Sequence, residues 1–376
     1  MKYFLLSILS ALTLIFTLES CNDKIELVGE FTETAVVYGL LDQSDSVHYI
    51  KITRAFIGPG DALQIAQNSD SSYFASVDAT ITEIGGAGRE WNLVEELITN
   101  KDENGLFYGP EQKVYAFYSK SIDNSSSPTG GSLNENANYR LNATITDGNG
   151  EQFEITGITD LVSGISTQTD AATYSFKFAK NATEFRNPSI NVTVGNARVV
   201  NTSLEIHIDE FEGASGPTST SLRWGLGEKE VDVATTGFIA SGQTFYEQIA
   251  EFCEVRQGLN PAIDKRNFTG ITLRVVGGGE ELYNYMLVNQ PSSSIAQNKP
   301  SYTNITATKD HRVIGIFSSR FTYEVRHEFS TPLSQFIRCL DQQSTEVLCI
   351  GSITNSYNFC SQHAIDIAQG ESYICN

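Results

Sequence analysis

The amino-acid sequence predicts a mainly β protein with two β-sandwich-like domains (Ig-like or jelly-roll-like), a few short helices and a Cys-rich C-terminal segment. Two observations lead to this class. Short segments rich in β-branched and aromatic residues alternate between apolar and polar positions, and turn sequences separate them at close spacing. The chain has 376 residues and is 40% hydrophobic, which is enough apolar material for more than one core.

Changes of pattern along the chain predict five segments. They are a signal peptide at 1–20, an anchor and linker segment at 21–33, an N-terminal β-sandwich domain at 34–165, a second β-rich domain with two helices at 166–329, and a Cys-rich segment at 330–376. The last segment holds four of the six cysteines, and its loop-rich composition differs from the strands before it.

The N-terminal domain begins with strands predicted from alternation and composition, at 34–41, 48–56, 75–84, 89–96 and 113–119. Its clearest feature is a hairpin over 137–159, in which two alternating strands flank the turn "DGNG" at 147–150. Asp61 is placed to cap a short helix at 61–68. Arg54 lies on a largely apolar strand face. The alternatives are a buried, paired arginine and an arginine at the strand end whose guanidinium reaches solvent, and we favour the second.

The second domain continues the β pattern, with strands at 172–180, 189–195, 203–211, 221–227 and 270–276. Helical periodicity predicts two helices, at 244–256 and 279–289. Thr244 and Glu247 form a capping-box pattern at the start of the first helix. One face of that helix is apolar and is formed by Phe245, Ile249, Phe252 and Cys253. A third helix, with a proline in its first turn, is predicted at 331–340.

The N-terminus combines a positive start with an apolar run at 4–18, whose 15 residues are too few for a membrane span and suit a signal-peptide core. Leu18, Ser20 and Cys21 then resemble the lipobox of bacterial lipoproteins, although Glu19 departs from the usual small or polar residue. The resemblance implies that 1–20 is a lipoprotein signal peptide and that Cys21 carries a covalent diacylglycerol and acyl anchor. Two or three lipid chains anchor a protein stably, whereas a single chain holds it only marginally. An ordinary secretory signal and an uncleaved anchor helix are the alternatives.

The six cysteines include no CxxC pair, which argues against a zinc site and fits disulfides formed in an oxidising compartment. If Cys21 carries lipid, five cysteines remain and one is left over. We expect Cys253, far from the others and on a helix face, to be the free, buried thiol. The disulfide candidates are Cys339, Cys349, Cys360 and Cys375, and their connectivity stays open.

The chain is strongly acidic, with a formal net charge of −20 and a pI near 4.6. Such a charge repels nucleic-acid phosphates, and the sequence has no basic stripe to overcome the repulsion, so we expect no nucleic-acid partner. An anionic membrane surface is an equally poor electrostatic partner. We interpret the charge as a means of solubility, in preference to recruitment of a basic partner or of cations.

Several segments in a fixed order resemble one known family. After the lipobox come "VVYGLLD", "HYIKITRAFIGPGDALQIAQNSDSSYF", "DATITEI", "ANYRLNATITDGNGEQFEI", "GITLRVVGGGEELYNYM", "SYTNI" and "GIFSSR". They are similar to Bacteroidota-type outer-membrane lipoproteins of unassigned function, whose genes often lie beside those of TonB-dependent receptors. The resemblance covers residues 1–322. It implies a two-lobed, all-β lipoprotein associated with an outer-membrane transporter, and it supplies no catalytic residues.

Motifs for catalysis and metal binding are largely missing from the sequence. Neither a GxSxG nucleophile elbow nor an HExxH motif appears. His207 and Asp209 share a strand face and could begin a metal site, but we favour a solvated strand face. "DGNGE" at 147–151 resembles the start of a calcium loop but lacks the later glycine and glutamate, so we favour a tight turn. We therefore assign no catalytic residue, no metal and no cofactor beyond the lipid on Cys21.

The 16 Tyr and 21 Phe residues offer one candidate for ligand binding, because aromatic faces suit sugars and peptides. "SSYF" at 71–74 and "YNYM" at 283–286 are the exposed-looking candidates, although most aromatic residues of such folds lie in the core. We assign no ligand from the sequence.

These observations together predict a non-enzymatic protein held at the outer membrane by lipid, on the cell surface or the periplasmic face. We expect it to be a binding or accessory component of a TonB-dependent nutrient-uptake system, with a TonB-dependent barrel as its partner. A surface adhesin or structural lipoprotein without a transport role is the alternative. A hydrolase with no recognisable motif is the third hypothesis.

Overall fold

The computed structural model describes residues 34–55, 61–101, 105, 107–119, 132–170, 174–290, 301–328 and 338–375. The predicted signal peptide at 1–20, the predicted anchor residue Cys21 and the predicted linker that follows lie outside these residues. Most of the helix predicted at 331–340 also lies outside them.

Strands dominate the described residues, so the predicted mainly β class is confirmed. In chain order they are β1 (Thr34–Asp42), β2 (Val47–Ala55), β3 (Ser76–Ile84), β4 (Glu90–Asn92), β5 (Val94–Ile98), β6 (Gln112–Tyr118), β7 (Asn138–Thr146), β8 (Gln152–Thr159), β9 (Ile165–Thr167), β10 (Ser189–Val194), β11 (Val199–Phe211), β12 (Thr218–Glu230), β13 (Thr235–Ile239), β14 (Lys265–Gly278), β15 (Ile305–Ala307), β16 (Arg312–Glu328) and β17 (Phe359–Cys360).

The helices are few and mostly short. They are α1 (Ala62–Ala66), α2 (Ser69–Ser72), α3 (Gly242–Leu259), α4 (Glu280–Asn289), α5 (Gln342–Ile350) and α6 (Ala364–Gln369), with 3-10 turns at Gln168–Asp170 and Asn355–Tyr357. Within the described ranges, no helix is long and apolar enough to cross a membrane.

The strands form three sheets. The largest has the order β12-β11-β14-β16-β1-β2-β6-β5, with β17 added beside β14. The second has the order β15-β8-β7-β3-β4, and the third β13-β10-β9. The long strand β16 joins the two halves of the largest sheet. Its first part runs parallel to β1 from the pair Thr34 and Arg312, and its second part runs antiparallel to β14 as far as the pair Gly270 and Glu328.

The first hydrophobic core draws on two sheets. The largest sheet contributes the inward side chains of β1, β2 and β6, such as Val37, Ile50 and Phe117, because alternate strand residues point to the same face. The five-stranded sheet contributes β3, β7 and β8. The hairpin predicted at 137–159 is confirmed, with alternating strands β7 and β8 paired antiparallel. Late in the chain, Ile305 and Phe317 complete this core.

The second core lies further along the chain. It combines inward residues of β11 and β14 with the small sheet and with helices α3 and α5. Phe245 of α3 stacks on Phe178, with ring centroids 4.0 Å apart. Ile249 and Cys253 follow on the same buried helix face, and Phe252 packs beside them partly exposed, so the apolar periodicity predicted for this helix is confirmed.

The predicted helix starts have different outcomes. Asp61 caps α1 as predicted, because its side chain accepts a hydrogen bond from the backbone N–H of Leu63. The capping box at Thr244 is wrong. Helix α3 begins earlier, and the Ser241 hydroxyl accepts from the N–H of Thr244 at 3.3 Å. Gly242 permits this start because a Cβ at that position would lie 2.1 Å from the carbonyl oxygen of Phe178.

The Cys-rich segment contains one disulfide among its described residues, between Cys360 and Cys375. Cys339 and Cys349 were candidates for a second bridge, but both are free thiols buried in the second core, where apolar neighbours surround them. Cys253 is also free and buried in that core. Burial raises the pKa of each of the three thiols to about 12, so they are neutral at physiological pH.

A buried carboxylate holds this segment together in addition to the disulfide. Asp366, at the start of α6, is fully buried and pairs with Arg338, one of whose Nη atoms lies 3.0 Å from the carboxylate. It also accepts from the hydroxyls of Ser361 at 2.6 Å and Tyr373 at 3.2 Å. These partners lower the pKa of Asp366 despite burial, which acts in the opposite direction.

Candidate functional site

The outer face of β1 and β2 carries the most distinctive group of side chains outside the cores. Alternation buries Val37 and leaves Val36 and Tyr38 on the outer face. The antiparallel register places Lys51 opposite Tyr38 and Thr53 opposite Val36. The sheet therefore presents a cation directly beside a half-exposed aromatic ring.

A cavity of about 540 Å³ lies on this face, within the usual size of ligand pockets of roughly 300–1,000 Å³. We call it the aromatic–cationic groove. It is lined by strand residues together with α2 and the segment between β5 and β6, namely Val36, Tyr38, Lys51, Thr53, Arg54, Ala55, Ser72, Tyr73, Lys101 and Phe107. Three of these residues are cationic and none of the described lining residues is a carboxylate, in a chain whose net charge is −20.

Neutral groups hold the two lysines of the groove. Lys51 Nζ donates to the side-chain oxygen of Gln112 at 2.9 Å, and Lys101 Nζ donates to the carbonyl oxygen of Tyr108 at 2.6 Å. The Lys101 ammonium also lies 5.3 Å from the ring centroid of Phe107. Burial lowers the pKa of Lys51, while burial and the nearby Lys51 charge lower the pKa of Lys101. An anion bound between the lysines would relieve this repulsion.

Arg54 is the penultimate residue of β2 and lies at the border between two cavities. It is half-buried, and its guanidinium donates to the backbone carbonyls of Ser71 at 3.1 Å and Asp70 at 3.3 Å. It lines both the groove and a neighbouring cavity of about 440 Å³. Tyr73 lines both cavities as well, and Gly148 of the β7–β8 turn lines the second one. Arg54 therefore reaches the surface at a strand end, held by carbonyl groups.

Two tyrosines from distant parts of the chain meet beside the groove. The hydroxyls of Tyr38 and Tyr285 lie 2.9 Å apart, and their rings make an edge-to-face contact at 6.0 Å. Burial, followed by the hydrogen bond to Tyr285, raises the pKa of Tyr38 to about 12. Both rings line a further cavity of about 400 Å³ with Tyr49 and Arg320. The aromatic surface thus continues beyond the groove.

The two aromatic segments singled out in the sequence both contribute to this region, but only in part. Tyr73 of "SSYF" lines the groove, whereas Phe74 is buried in the first core. Tyr285 of "YNYM" meets Tyr38, whereas the ring of Tyr283 lies beneath the guanidinium of Arg198.

Sequence reasoning missed the lysines of the groove and Tyr38. The alternation of β1 and β2 contains the signal for Tyr38 and Lys51, because both occupy outward positions. The sequence carries no comparable signal for Lys101 and Phe107, which reach the groove from an irregular segment.

The weaker metal candidates have ordinary hydrogen-bond partners. His207 Nε2 lies 2.8 Å from the Thr272 hydroxyl, and Asp209 accepts from the Ser219 hydroxyl at 2.6 Å. Burial and, secondarily, the charge of Arg326 lower the pKa of His207. The predicted tight turn at 147–151 is confirmed, because the side chain at its first position accepts two backbone N–H groups of the turn, at 2.8 Å and 2.7 Å.

Comparisons with known proteins give little further information. No protein family matches the chain, and no curated protein matches it either. Among solved structures, a DUF4785 family protein from Legionella pneumophila is similar at 13% identity over 65% of this chain, with a TM-score of 0.19. The matched region spans about half of that protein, 50% of its length. A likeness at this level carries no argument about fold or function.

Proposed function

We propose that this protein is a lipid-anchored binding protein of the outer membrane that holds a ligand in the aromatic–cationic groove for a TonB-dependent barrel. Its position would be the cell surface or the periplasmic face, with the anchor on Cys21. Each core would belong to one sandwich-like domain. The resemblance to outer-membrane lipoproteins supports the location and the partner, and the groove supports the binding role.

The single observation that carries the binding role is the composition of the groove. Three cations and three aromatic rings line one cavity without a described carboxylate, so the charge complementarity favours an anionic ligand. Aromatic rings pack against the flat apolar faces of sugar rings and similar groups. We infer a ligand that combines both features, such as an oligosaccharide with uronic-acid residues.

The chemistry of the groove favours binding over catalysis. A general acid or base works best with a pKa near the operating pH, but Tyr38 has a pKa of about 12. Arg54 is a permanent cation, and the lysines donate to an amide and a carbonyl oxygen. These groups are suited to hold a charged ligand in place.

Calorimetric titration with an oligogalacturonide tests the binding role, with a neutral galacto-oligosaccharide of equal length as the reference ligand. We expect binding of the acidic sugar only. Lys51→Met and Lys101→Met should each weaken it by about 10-fold or more, since a charge-assisted hydrogen bond is worth about 1.5–3 kcal/mol. Lys180→Met is the matched control, because this exposed lysine pairs with Glu184 and is not among the residues that line the groove. Equal binding of both sugars would contradict the proposal.

Two experiments test the anchor and the partner separately. Labelling of cells with a radioactive lipid precursor should mark the wild-type protein and be lost in Cys21→Ala, and retained labelling would overturn the anchor. Affinity purification of the native protein from membranes should recover an outer-membrane barrel. Recovery of no barrel would rule out the accessory role while leaving the ligand measurement intact.

A further inference from the structure

The tight turn at 147–151 meets a second loop at one end of the five-stranded sheet. Strand β15 pairs with β8, and the loop after β15 continues beside the turn that precedes β8. Thr308 ties the two together, because its N–H donates to the carbonyl of Glu154 at 2.9 Å and its hydroxyl accepts from the N–H of Glu154 at 2.9 Å. Asp147, Glu151 and His311 thereby come together, with one ligand atom of each within 4.8 Å of the others.

Two contacts fix the imidazole of His311. Nδ1 lies 3.1 Å from the carbonyl oxygen of Lys309. A carbonyl only accepts hydrogen bonds, so Nδ1 carries the proton and Nε2 of the neutral ring keeps its lone pair. The ring also stacks on Phe153 at 4.1 Å with an interplanar angle of 8°. A histidine that donates one nitrogen to a backbone carbonyl is the usual arrangement of a metal ligand.

The two carboxylates differ in a way that suits binding of an ion. Asp147 is 4% exposed, and its Oδ1 accepts from the backbone N–H groups of Asn149 and Glu151, which fixes the orientation of the carboxylate. Glu151 is exposed, so its side chain can swing towards the other two. One rigid carboxylate, one rigid imidazole and one adjustable carboxylate therefore face a common point.

We propose that Asp147, Glu151 and His311 bind a divalent transition-metal ion. Imidazole with carboxylates suits zinc and similar ions, whereas calcium prefers an all-oxygen shell. Ligand atoms bonded to zinc at about 2.0–2.1 Å lie roughly 3.3 Å apart. The side chains must therefore close by at most about 1.5 Å, a movement that the exposed Glu151 permits.

The ion would act as a clamp between two loops. It would join the β7–β8 turn to the loop before β16, and Gly148 in that turn lines the cavity that borders Arg54. Metal binding would thus stiffen one wall beside the aromatic–cationic groove. The site stands apart from the proposed ligand function, because its residues are not among those that line the groove.

Calorimetric titration of the purified protein with zinc chloride, without any sugar, tests the site. We expect one equivalent of zinc to bind and the melting temperature to rise. Loss of a residue that only supports a metal ligand typically weakens metal binding roughly 10–100-fold. His311→Ala and Glu151→Gln remove proposed ligands themselves, so each should weaken zinc binding by at least this factor. Asp147 is left intact because it also holds the turn. His207→Ala is the matched control, since it removes a partly buried histidine elsewhere and should leave zinc binding unchanged.

Circular dichroism shows whether the variants fold like the wild type. Absence of one-equivalent binding in the wild type would overturn the proposal. The same conclusion follows if His311→Ala and Glu151→Gln bind zinc as tightly as the wild type and His207→Ala do, because the ion would then be adventitious.

Discussion

A buried carboxylate with two arginine partners lies where the second core meets the C-terminal segment. Glu210 of β11 is 3% exposed, and Arg266 of β14 is fully buried. Arg266 Nε donates to Glu210 at 3.1 Å, and Arg256 of α3 donates through Nε at 3.0 Å and Nη2 at 2.6 Å. Arg266 also donates to Gln257 at 3.0 Å and to the carbonyl of Tyr357 at 2.9 Å. The Glu210 carboxylate therefore neutralises Arg266, whose side chain joins β11, α3 and the 3-10 turn at Asn355–Tyr357.

The substitution Glu210→Gln removes the negative charge and keeps the shape of the side chain. Arg266 is then a buried cation without its carboxylate, and three charge-assisted hydrogen bonds weaken together. Loss of one partner of a buried pair costs about 3–5 kcal/mol. We expect the free energy of unfolding to fall by this amount, a large share of the roughly 5–15 kcal/mol typical of a folded domain.

Urea unfolding followed by tryptophan fluorescence measures the change, because Trp224 lies in the same core. Glu230→Gln is the matched control, since its pair with Arg198 is exposed and should lose less than about 1 kcal/mol. The double substitution Glu210→Met with Arg266→Met should recover part of the loss. Equal, small losses in Glu210→Gln and Glu230→Gln would refute the assignment of a stabilising buried pair.

Three further predictions concern the cysteines and the N-terminal cap of α3. Cys360→Ala should destabilise the protein by about 3 kcal/mol, as expected for a closed loop of about 15 residues, and reductant should lower the melting temperature of the wild type but not of this variant. At pH 8, Cys253, Cys339 and Cys349 of the native protein should resist alkylation by iodoacetamide, because their raised pKa values keep the thiols neutral. Rapid labelling of these thiols in the native protein would contradict this prediction. Ser241→Ala should cost about 1 kcal/mol in thermal unfolding. Thr244→Ala is the comparison, because Thr244 was the cap predicted from the sequence. An equal loss of stability in Thr244→Ala and Ser241→Ala would contradict the assignment of Ser241 as the cap.

The parts of the fold that depend on local pattern were predictable from the sequence. The hairpin at 137–159 and the cap at Asp61 need only neighbouring residues, so alternation and turn chemistry identified them. The single strand predicted at 89–96 was wrong. The chain divides at Leu93, whose N–H donates to Ala79, and β4 and β5 join different sheets. Partner choice between sheets is a long-range property that local pattern does not contain.

The candidate site shows the same division. The outward positions of β1 and β2 follow from alternation, so Tyr38 and Lys51 were accessible to sequence reasoning. The contact between Tyr38 and Tyr285 depends on the packing of α4 against the largest sheet. The cluster at Asp147 needs His311, which a separate loop supplies. Spacing along the chain predicted the turn but gave no means to find its third ligand.

The parallel pairing of β1 with β16 has a consequence for the order in which the chain folds. Thr34, the first described residue, pairs with Arg312 near the end of the chain, and Phe317 of the same strand closes the first core. During synthesis from the N-terminus, one edge of β1 therefore stays unpaired until the first part of β16 has emerged. Such non-local pairing slows folding, because the loop must close before its contacts stabilise it. An unpaired strand edge can pair with other chains, so the late arrival of β16 leaves the first sheet open to aggregation during folding.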